Sequence, residues 1–204
     1  MLKKIGAIFL IIAVFTGLLA SCDKTPESTT TTPTSTNTLT PTSTVITDQL
    51  GRTVTLKTNN PQRIVSLAPS NTEILYALGL GDRVVAVTDY DNYPPEVKEK
   101  PSIGGYSTPN IEEVVAMNPD LVVATVIHQD KIIPQIEDRG LTVLALNPQT
   151  LDQVLEAIKL VGRVCGVEDN ATSLVANMQQ RIKAVTDKTD GLSQEQRPRV
   201  LYLV

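Results

Sequence analysis

Residues 63–79, RIVSLAPSNTEILYALG, place a short apolar run directly before a helical pattern. The run 64–67 has no polar alternation, which is typical of a strand buried on both faces. Ser70 with Glu73 three residues later predicts a capping box for the following helix, and Gly79 is its expected end. The segment therefore predicts one strand–helix unit of an α/β fold.

The same alternation continues through the chain. Apolar runs at 84–87, 121–124 and 143–146 predict three more buried strands, and the pattern at 45–56 predicts a small hairpin before them. Helices are expected after a second capping box at Asn110 and Glu113, over 130–139, and from a cap at Thr150. An unusually long helix is expected over 168–188. The fold class is therefore α/β, with a parallel sheet sandwiched by helices.

The N-terminus carries features of an exported lipoprotein. Lys3 and Lys4 precede an apolar run that ends in Leu-Ala-Ser-Cys at 19–22, so residues 1–22 are predicted to be a lipoprotein signal peptide with Cys22 as the lipidation site. The alternative is an ordinary signal peptide with a cysteine there by chance. Residues 23–44 are rich in Thr, Ser and Pro and predict a disordered tether.

Composition narrows the classes of partner. The net charge of −4 and the pI near 5.1 give no basic surface for nucleic acid. With Cys22 lipidated, Cys165 has no partner for an intramolecular disulfide. A single histidine argues against a metal site built by the protein.

Ligands of open α/β sheets bind beyond the carboxyl ends of the strands. Three segments leave such ends, at residues 68–71, 88–95 and 125–128. We therefore expect them to share one rim. The second segment continues to residue 107 and contains three of the five tyrosines. Tyrosine suits a large amphipathic ligand, although Tyr93 is better explained by packing against the two prolines after it. The ligand-binding residues predicted on this rim are Pro69, Ser70, Asn71, Asp89, Tyr90 and Tyr106.

Two further residues allow alternative interpretations. His128 could ligate cobalt or iron of a bound ligand, although a lone histidine near a strand end is more often a surface residue. Glu112 is either a solvated first-turn carboxylate or a docking charge for an arginine of a membrane partner.

Several motifs, in order, resemble the cobalamin and ferric-siderophore binding proteins of ABC importers. They are DQLGRTV at 48–54, RIVSLAPSNTE at 63–73, VTDY at 87–90 with Tyr-Pro-Pro at 93–95, Asn-Ile-Glu at 110–112 and NPDLV at 118–122. The resemblance implies a two-lobed protein that holds its ligand between the lobes, with residues 45–166 as an N-terminal lobe and 167–190 as the interlobe helix. It also implies that Tyr90 and Tyr106 contact the ligand and that Glu112 docks onto the permease. Residues 199–204 would be the first strand of a second lobe whose remainder is absent, as in a fragment or a truncated gene product.

The expected function is that of a substrate-binding lipoprotein that captures cobalamin or another corrinoid and delivers it to an ABC permease and its ATPase. It would act as a monomer on the extracytoplasmic side, in the periplasm or anchored to the cell membrane, without a cofactor of its own. The alternatives are a ferric-siderophore or haem binding protein of the same family, and a truncated surface lipoprotein without transport activity. A serine hydrolase using Ser66 or Ser70 with His128 is disfavoured, because neither serine lies in a Gly-x-Ser-x-Gly elbow.

Overall fold

A computed structural model describes residues 44–202 of the protein. The predicted signal peptide 1–22, its lipidation site Cys22 and the predicted tether up to residue 43 lie outside the described residues. Within them, none of the helices is both long enough and apolar enough to cross a membrane.

The strands and helices follow the alternation that the sequence predicts. The strands are β1 (Thr44–Thr47), β2 (Thr53–Leu56), β3 (Ile64–Ser66), β4 (Val84–Ala86), β5 (Leu121–Thr125) and β6 (Val143–Leu146). The α-helices are α1 (Pro69–Ala77), α2 (Ile111–Ala116), α3 (Ile132–Glu137), α4 (Leu151–Val164) and α5 (Glu168–Thr189). Short 3₁₀ turns lie at Gly81–Arg83, Pro95–Glu99, Val126–His128 and Gln194–Gln196.

The central sheet is parallel and has the strand order β4-β3-β5-β6. Successive residues of each strand face opposite layers: Ile64 packs with the side of the sheet that α1, α4 and α5 cover, and Val65 with the side that α2 and α3 cover. The β1–β2 hairpin is antiparallel and adds its apolar side chains to the first of these layers. Helices therefore cover both faces of the sheet, which confirms the predicted fold class.

Two of the three predicted N-cap residues are confirmed, but the reciprocal half of the predicted capping box at Asn110 is wrong, because the Asn110 backbone N–H donates to the Ile103 carbonyl and not to Glu113. The Asn110 side chain accepts hydrogen bonds from the backbone of Glu112 and Glu113, and the Thr150 hydroxyl accepts one from Gln153. The predicted capping box at Ser70 is wrong, because α1 begins two residues earlier than such a box requires, with Ala68 as N-cap and no side-chain cap. Proline is preorganised for the first helical position, so Pro69 opens the helix and leaves Ser70 inside the first turn.

The last two helices pack closely. A β-carbon added to Gly162 of α4 would lie 2.4 Å from the β-carbon of Ala171 in α5, so the two backbones approach at a glycine. The α5 helix extends the predicted 168–188 by one residue.

The predicted strand at 199–204 is wrong for its described part. Residues 199–202 form no strand, and the side chains of Val200, Leu201 and Tyr202 are each more than 80% exposed. A strand needs a neighbour to pair with, and nothing in the described residues lies beside this segment to provide one.

Candidate functional site

Three chain segments meet at the carboxyl edge of the sheet, at the ends of β3, β4 and β5. The segments that follow β3 and β4 line an open cavity of about 360 Å³, which we call the rim cavity. Its lining residues are Ala68, Pro69, Ser70, Tyr90, Tyr106 and Ser107. The cavity arises because β3 lies between β4 and β5, so that all three connections leave the sheet at one edge.

Four of the six predicted ligand-binding residues line this cavity, and two do not. Asn71 is almost completely buried, and its side-chain amide donates to the carbonyls of Val123 and Ala124 at 3.2 and 3.1 Å. Asn71 therefore ties α1 to β5, and its predicted ligand contact is corrected to a structural role. Asp89 is exposed but lies outside the lining, where its carboxylate accepts a hydrogen bond from the Ser102 hydroxyl.

The long connection between β4 and α2 is held by its own hydrogen bonds. It returns alongside β4, where the Ile103 amide donates to the Val87 carbonyl at 2.8 Å. The buried Asp91 carboxylate accepts from both the backbone and the hydroxyl of Thr88, at 2.9 and 2.6 Å. Gly104 has a φ of +87°, a conformation that glycine adopts at little cost and that turns the chain towards Tyr106.

The three tyrosines of this connection differ in their surroundings. Tyr90 lines the cavity and is 64% exposed. Tyr93 is 63% exposed and does not line the cavity. Tyr106 is half-buried, and its hydroxyl lies 3.4 Å from the Thr125 hydroxyl.

His128 has a role that sequence reasoning missed. It is completely buried in the turn after β5, where its Nδ1 accepts from the Thr125 backbone N–H at 3.0 Å. Its Nε2 lies 2.7 Å from the Tyr106 carbonyl oxygen, and the two rings meet edge to face with centroids 5.6 Å apart. The predicted metal ligation by His128 is corrected, because both ring nitrogens are already used. The only sequence signal for this role is the spacing of three between Thr125 and His128, which suits a cap.

The environment of His128 favours a neutral ring. Burial lowers its pKa below the ordinary value, and the hydrogen bond to the Tyr106 carbonyl opposes this shift only in part. Because the Thr125 N–H donates to Nδ1, the proton of the neutral ring lies on Nε2 and is donated to the Tyr106 carbonyl.

Glu112 lies in the first turn of α2, away from the cavity lining. Its side chain is 77% exposed and forms an ion pair with Arg139 of 2.7 Å. Such an exposed pair contributes about 0–1 kcal/mol, so the carboxylate can exchange Arg139 for another cation at little cost.

The model of a protein family described as periplasmic binding protein matches residues 64–204. The chain belongs to this family. One relative is the uncharacterized ABC transporter substrate-binding lipoprotein YvrC of Bacillus subtilis. This periplasmic binding protein is 40% identical to it over 166 residues. The alignment covers 78% of the chain and 51% of that relative.

Two solved structures show the same fold. The periplasmic vitamin B12-binding protein BtuF of Vibrio cholerae superposes with a TM-score of 0.60 at 30% identity, over 64% of this chain and 52% of that one. A possible iron-binding, periplasmic solute-binding protein of Staphylococcus epidermidis superposes with a TM-score of 0.61 at 30% identity, over 66% and 54%. This periplasmic binding protein thus spans about half the length of the curated relatives that it matches.

Proposed function

We propose that the chain carries one ligand-binding lobe of the substrate-binding protein of an ABC importer, and that its substrate is cobalamin or another corrinoid. The observation that carries the proposal is the rim cavity of a periplasmic binding protein with Tyr90 and Tyr106 in its wall. We expect the protein to bind its ligand without changing it chemically.

The cavity wall favours a large ligand that is apolar with hydrogen-bonding groups at its edge. The six lining residues offer two aromatic rings and the hydroxyls of Ser70 and Ser107, and none of the six carries a charge. Tyrosine presents both an apolar face and a polar tip, which matches such a ligand. A small, multiply charged ferric chelate would find no basic side chain among these residues to offset its charge.

A ferric chelate is nevertheless the second candidate ligand, because one similar structure is described as possibly iron-binding. Calorimetric titration of the purified chain with cyanocobalamin, ferrichrome and haemin separates the candidates. We expect saturable heat with cyanocobalamin. A response to ferrichrome or haemin alone would transfer the proposal to that ligand, and no response to any of the three would contradict it.

Two tyrosine variants and a matched control test the site. Removal of a buried aromatic anchor typically costs about 2 kcal/mol or more, so Tyr90→Ala and Tyr106→Ala should each weaken cyanocobalamin binding by about tenfold or more. Tyr93→Ala removes a tyrosine of nearly equal exposure from the same connection and should change the affinity by less than about twofold. Equal losses in all three variants would refute the assignment of the cavity.

The long helix α5 has a place in the same proposal. Its 22 residues span about 33 Å at about 1.5 Å per residue. An apolar groove is lined by Met178, Ile182 and Val185 of α5 together with Leu151 of α4. We propose that residues 167–190 form the interlobe helix and that this groove supports the packing of a second lobe.

Partners and location follow from the proposed role. The partners would be a permease with its ATPase on the extracytoplasmic face of a membrane, with Cys22 as the lipid anchor. If Cys22 is the anchor, Cys22→Ala should move the chain from the membrane fraction to the soluble fraction of cells. Retention in the membrane fraction would contradict the anchor.

Glu112 is the proposed docking residue for the permease. Glu112→Gln should reduce cyanocobalamin uptake in cells that express the importer while leaving the ligand affinity of the purified chain within about twofold, because electrostatic complementarity acts on encounter and orientation. The neighbouring Glu113→Gln is the control, since Glu113 is also an exposed first-turn carboxylate. Equal uptake by both variants and the unaltered chain would exclude this docking role.

A further inference from the structure

We infer that His128 is a positioning residue, which fixes Tyr106 in the wall of the rim cavity before a ligand arrives. The inference rests on the proposed function, because it gives His128 a role only where Tyr106 contacts a ligand.

The contacts of Tyr106 carry this inference. Tyr106 lies between Gly105 and Ser107 in a stretch without helix or strand, so its own segment does little to fix it. Its carbonyl receives the Nε2–H of His128 at 2.7 Å, its ring meets the imidazole edge to face, and its hydroxyl faces Thr125. The end of β5 and the turn after it therefore hold both the backbone and the ring of Tyr106.

His128 is itself fixed. It is completely buried, and its Nδ1 is occupied by the Thr125 N–H, which belongs to the last residue of a central strand. The imidazole is thus a rigid bridge between the sheet and the connection that carries Tyr106. The His128 imidazole is in edge-to-face contact with one titratable side chain, the phenol of Tyr106.

Tyr90 provides the internal comparison. It lines the same cavity, but its hydrogen bond to the Thr88 hydroxyl, at 3.3 Å, is donated by its backbone N–H, and the residue is 64% exposed. A ligand that contacts Tyr90 restricts an exposed ring as it binds, whereas the ring of Tyr106 is already in contact with His128. Binding to a preorganised side chain avoids the cost of immobilising it.

The first test needs no ligand. His128 is the only histidine of the chain, so a ¹⁵N-labelled sample without a histidine tag contains one imidazole, whose ring nitrogens report its tautomer directly. We expect a neutral ring protonated on Nε2 at pH 7 and a titration midpoint below the ordinary value. A mixture of tautomers with an ordinary midpoint would overturn the inference, whether or not a ligand is known.

The second test uses two variants that each keep one of the two hydrogen bonds. In His128→Gln the amide nitrogen reaches the former position of Nε2 and can donate to the Tyr106 carbonyl. In His128→Asn the amide oxygen replaces only the Nδ1 acceptor and leaves Tyr106 unsupported. With cyanocobalamin as probe, His128→Asn should weaken binding about threefold to tenfold, the range expected for ordering one side chain, and His128→Gln should restore affinity to within about twofold.

A double-mutant cycle separates positioning from general stability. If His128 acts through Tyr106, His128→Asn should cause no further loss of affinity in a Tyr106→Ala background. Amide hydrogen exchange of residues 105–108 should be faster in His128→Asn than in the unaltered chain, at unchanged exchange in β3 and β6. Equal losses in the Asn and Gln variants, or a full additional loss in the Tyr106→Ala background, would overturn the inference. Absence of cyanocobalamin binding by the unaltered chain would refute the proposed ligand, while the nitrogen shifts and the exchange rates still decide whether His128 holds Tyr106.

Discussion

Gly162→Ala should destabilise the packing of α4 on α5, although alanine is normally the better helix residue. The new β-carbon would lie 2.4 Å from the β-carbon of Ala171, a separation that real side chains essentially never show, and Ala171 is buried. Overpacking a filled core costs about 1–3 kcal/mol, whereas replacing glycine in a helix returns about 0.5–1 kcal/mol. The free energy of unfolding should therefore fall by up to about 2.5 kcal/mol.

Urea unfolding monitored by circular dichroism measures this change, and the reciprocal substitution provides the control. Ala171→Gly alone should also destabilise, since it places glycine in a helix and leaves a small void. Gly162→Ala with Ala171→Gly moves one methyl group across the interface, so the double variant should be more stable than the sum of the single changes predicts, by about 0.5–3 kcal/mol. If Gly162→Ala alone raises stability, as at an ordinary helical glycine, the close approach of the two helices is refuted.

Three further predictions concern single side chains. Thr150→Ala removes the hydroxyl that caps α4 and should lower the free energy of unfolding by about 1 kcal/mol. The control is Thr172→Ala, at an exposed position inside α5, which should not lower it. Equal effects of the two substitutions on urea unfolding would exclude the cap. Because burial depresses the pKa of His128, the unfolded chain binds more protons than the folded chain below pH of about 6.5, so stability should decline as the pH falls from about 6.5 towards the folded pKa. That slope should disappear in His128→Gln, and an unchanged slope would assign it to other groups. Burial raises the pKa of the Cys165 thiol to about 12, so iodoacetamide at pH 8 should label Cys165 only after unfolding. The mass of the peptide that contains Cys165 measures the labelling. Rapid labelling of the folded chain would contradict the burial of this thiol.

The strands were predictable because their signal is local and redundant. The run 64–67 carries three apolar residues that neither a loop nor a surface helix accommodates, and the structure buries all four positions. The Asn110 and Thr150 caps were predictable for the same reason, since each side chain bonds backbone within three residues. Ser70 shows the limit of a local pattern, because the conformational preference of Pro69 sets the start of α1 instead.

The remaining differences depend on contacts between distant residues. Asn71 looks like a polar residue at a strand end, and only the approach of β5 reveals that its amide satisfies two carbonyls. Hydropathy is misleading in the turn after β5, where Val126 and Ile127 are 45% and 50% exposed while His128 is completely buried. The turn directs the imidazole inward because Thr125 and Tyr106 offer it two hydrogen bonds, and the Tyr106 partner lies 22 residues away.

The two tyrosines of the rim cavity therefore differ in how their side chains are held as well as in position. Tyr106 is coupled to the sheet through a neutral, buried imidazole, whereas Tyr90 stands on a turn that the Asp91–Thr88 hydrogen bonds hold from below. A ligand that contacted only Tyr106 would meet a ring that is already held, and one that contacted only Tyr90 would have to restrict an exposed ring as it binds. A ligand broad enough to contact both rings gains from the one that is held and adds the contact area of the exposed one. Contact with both rings is what the proposed corrinoid, as a broad ligand, would supply.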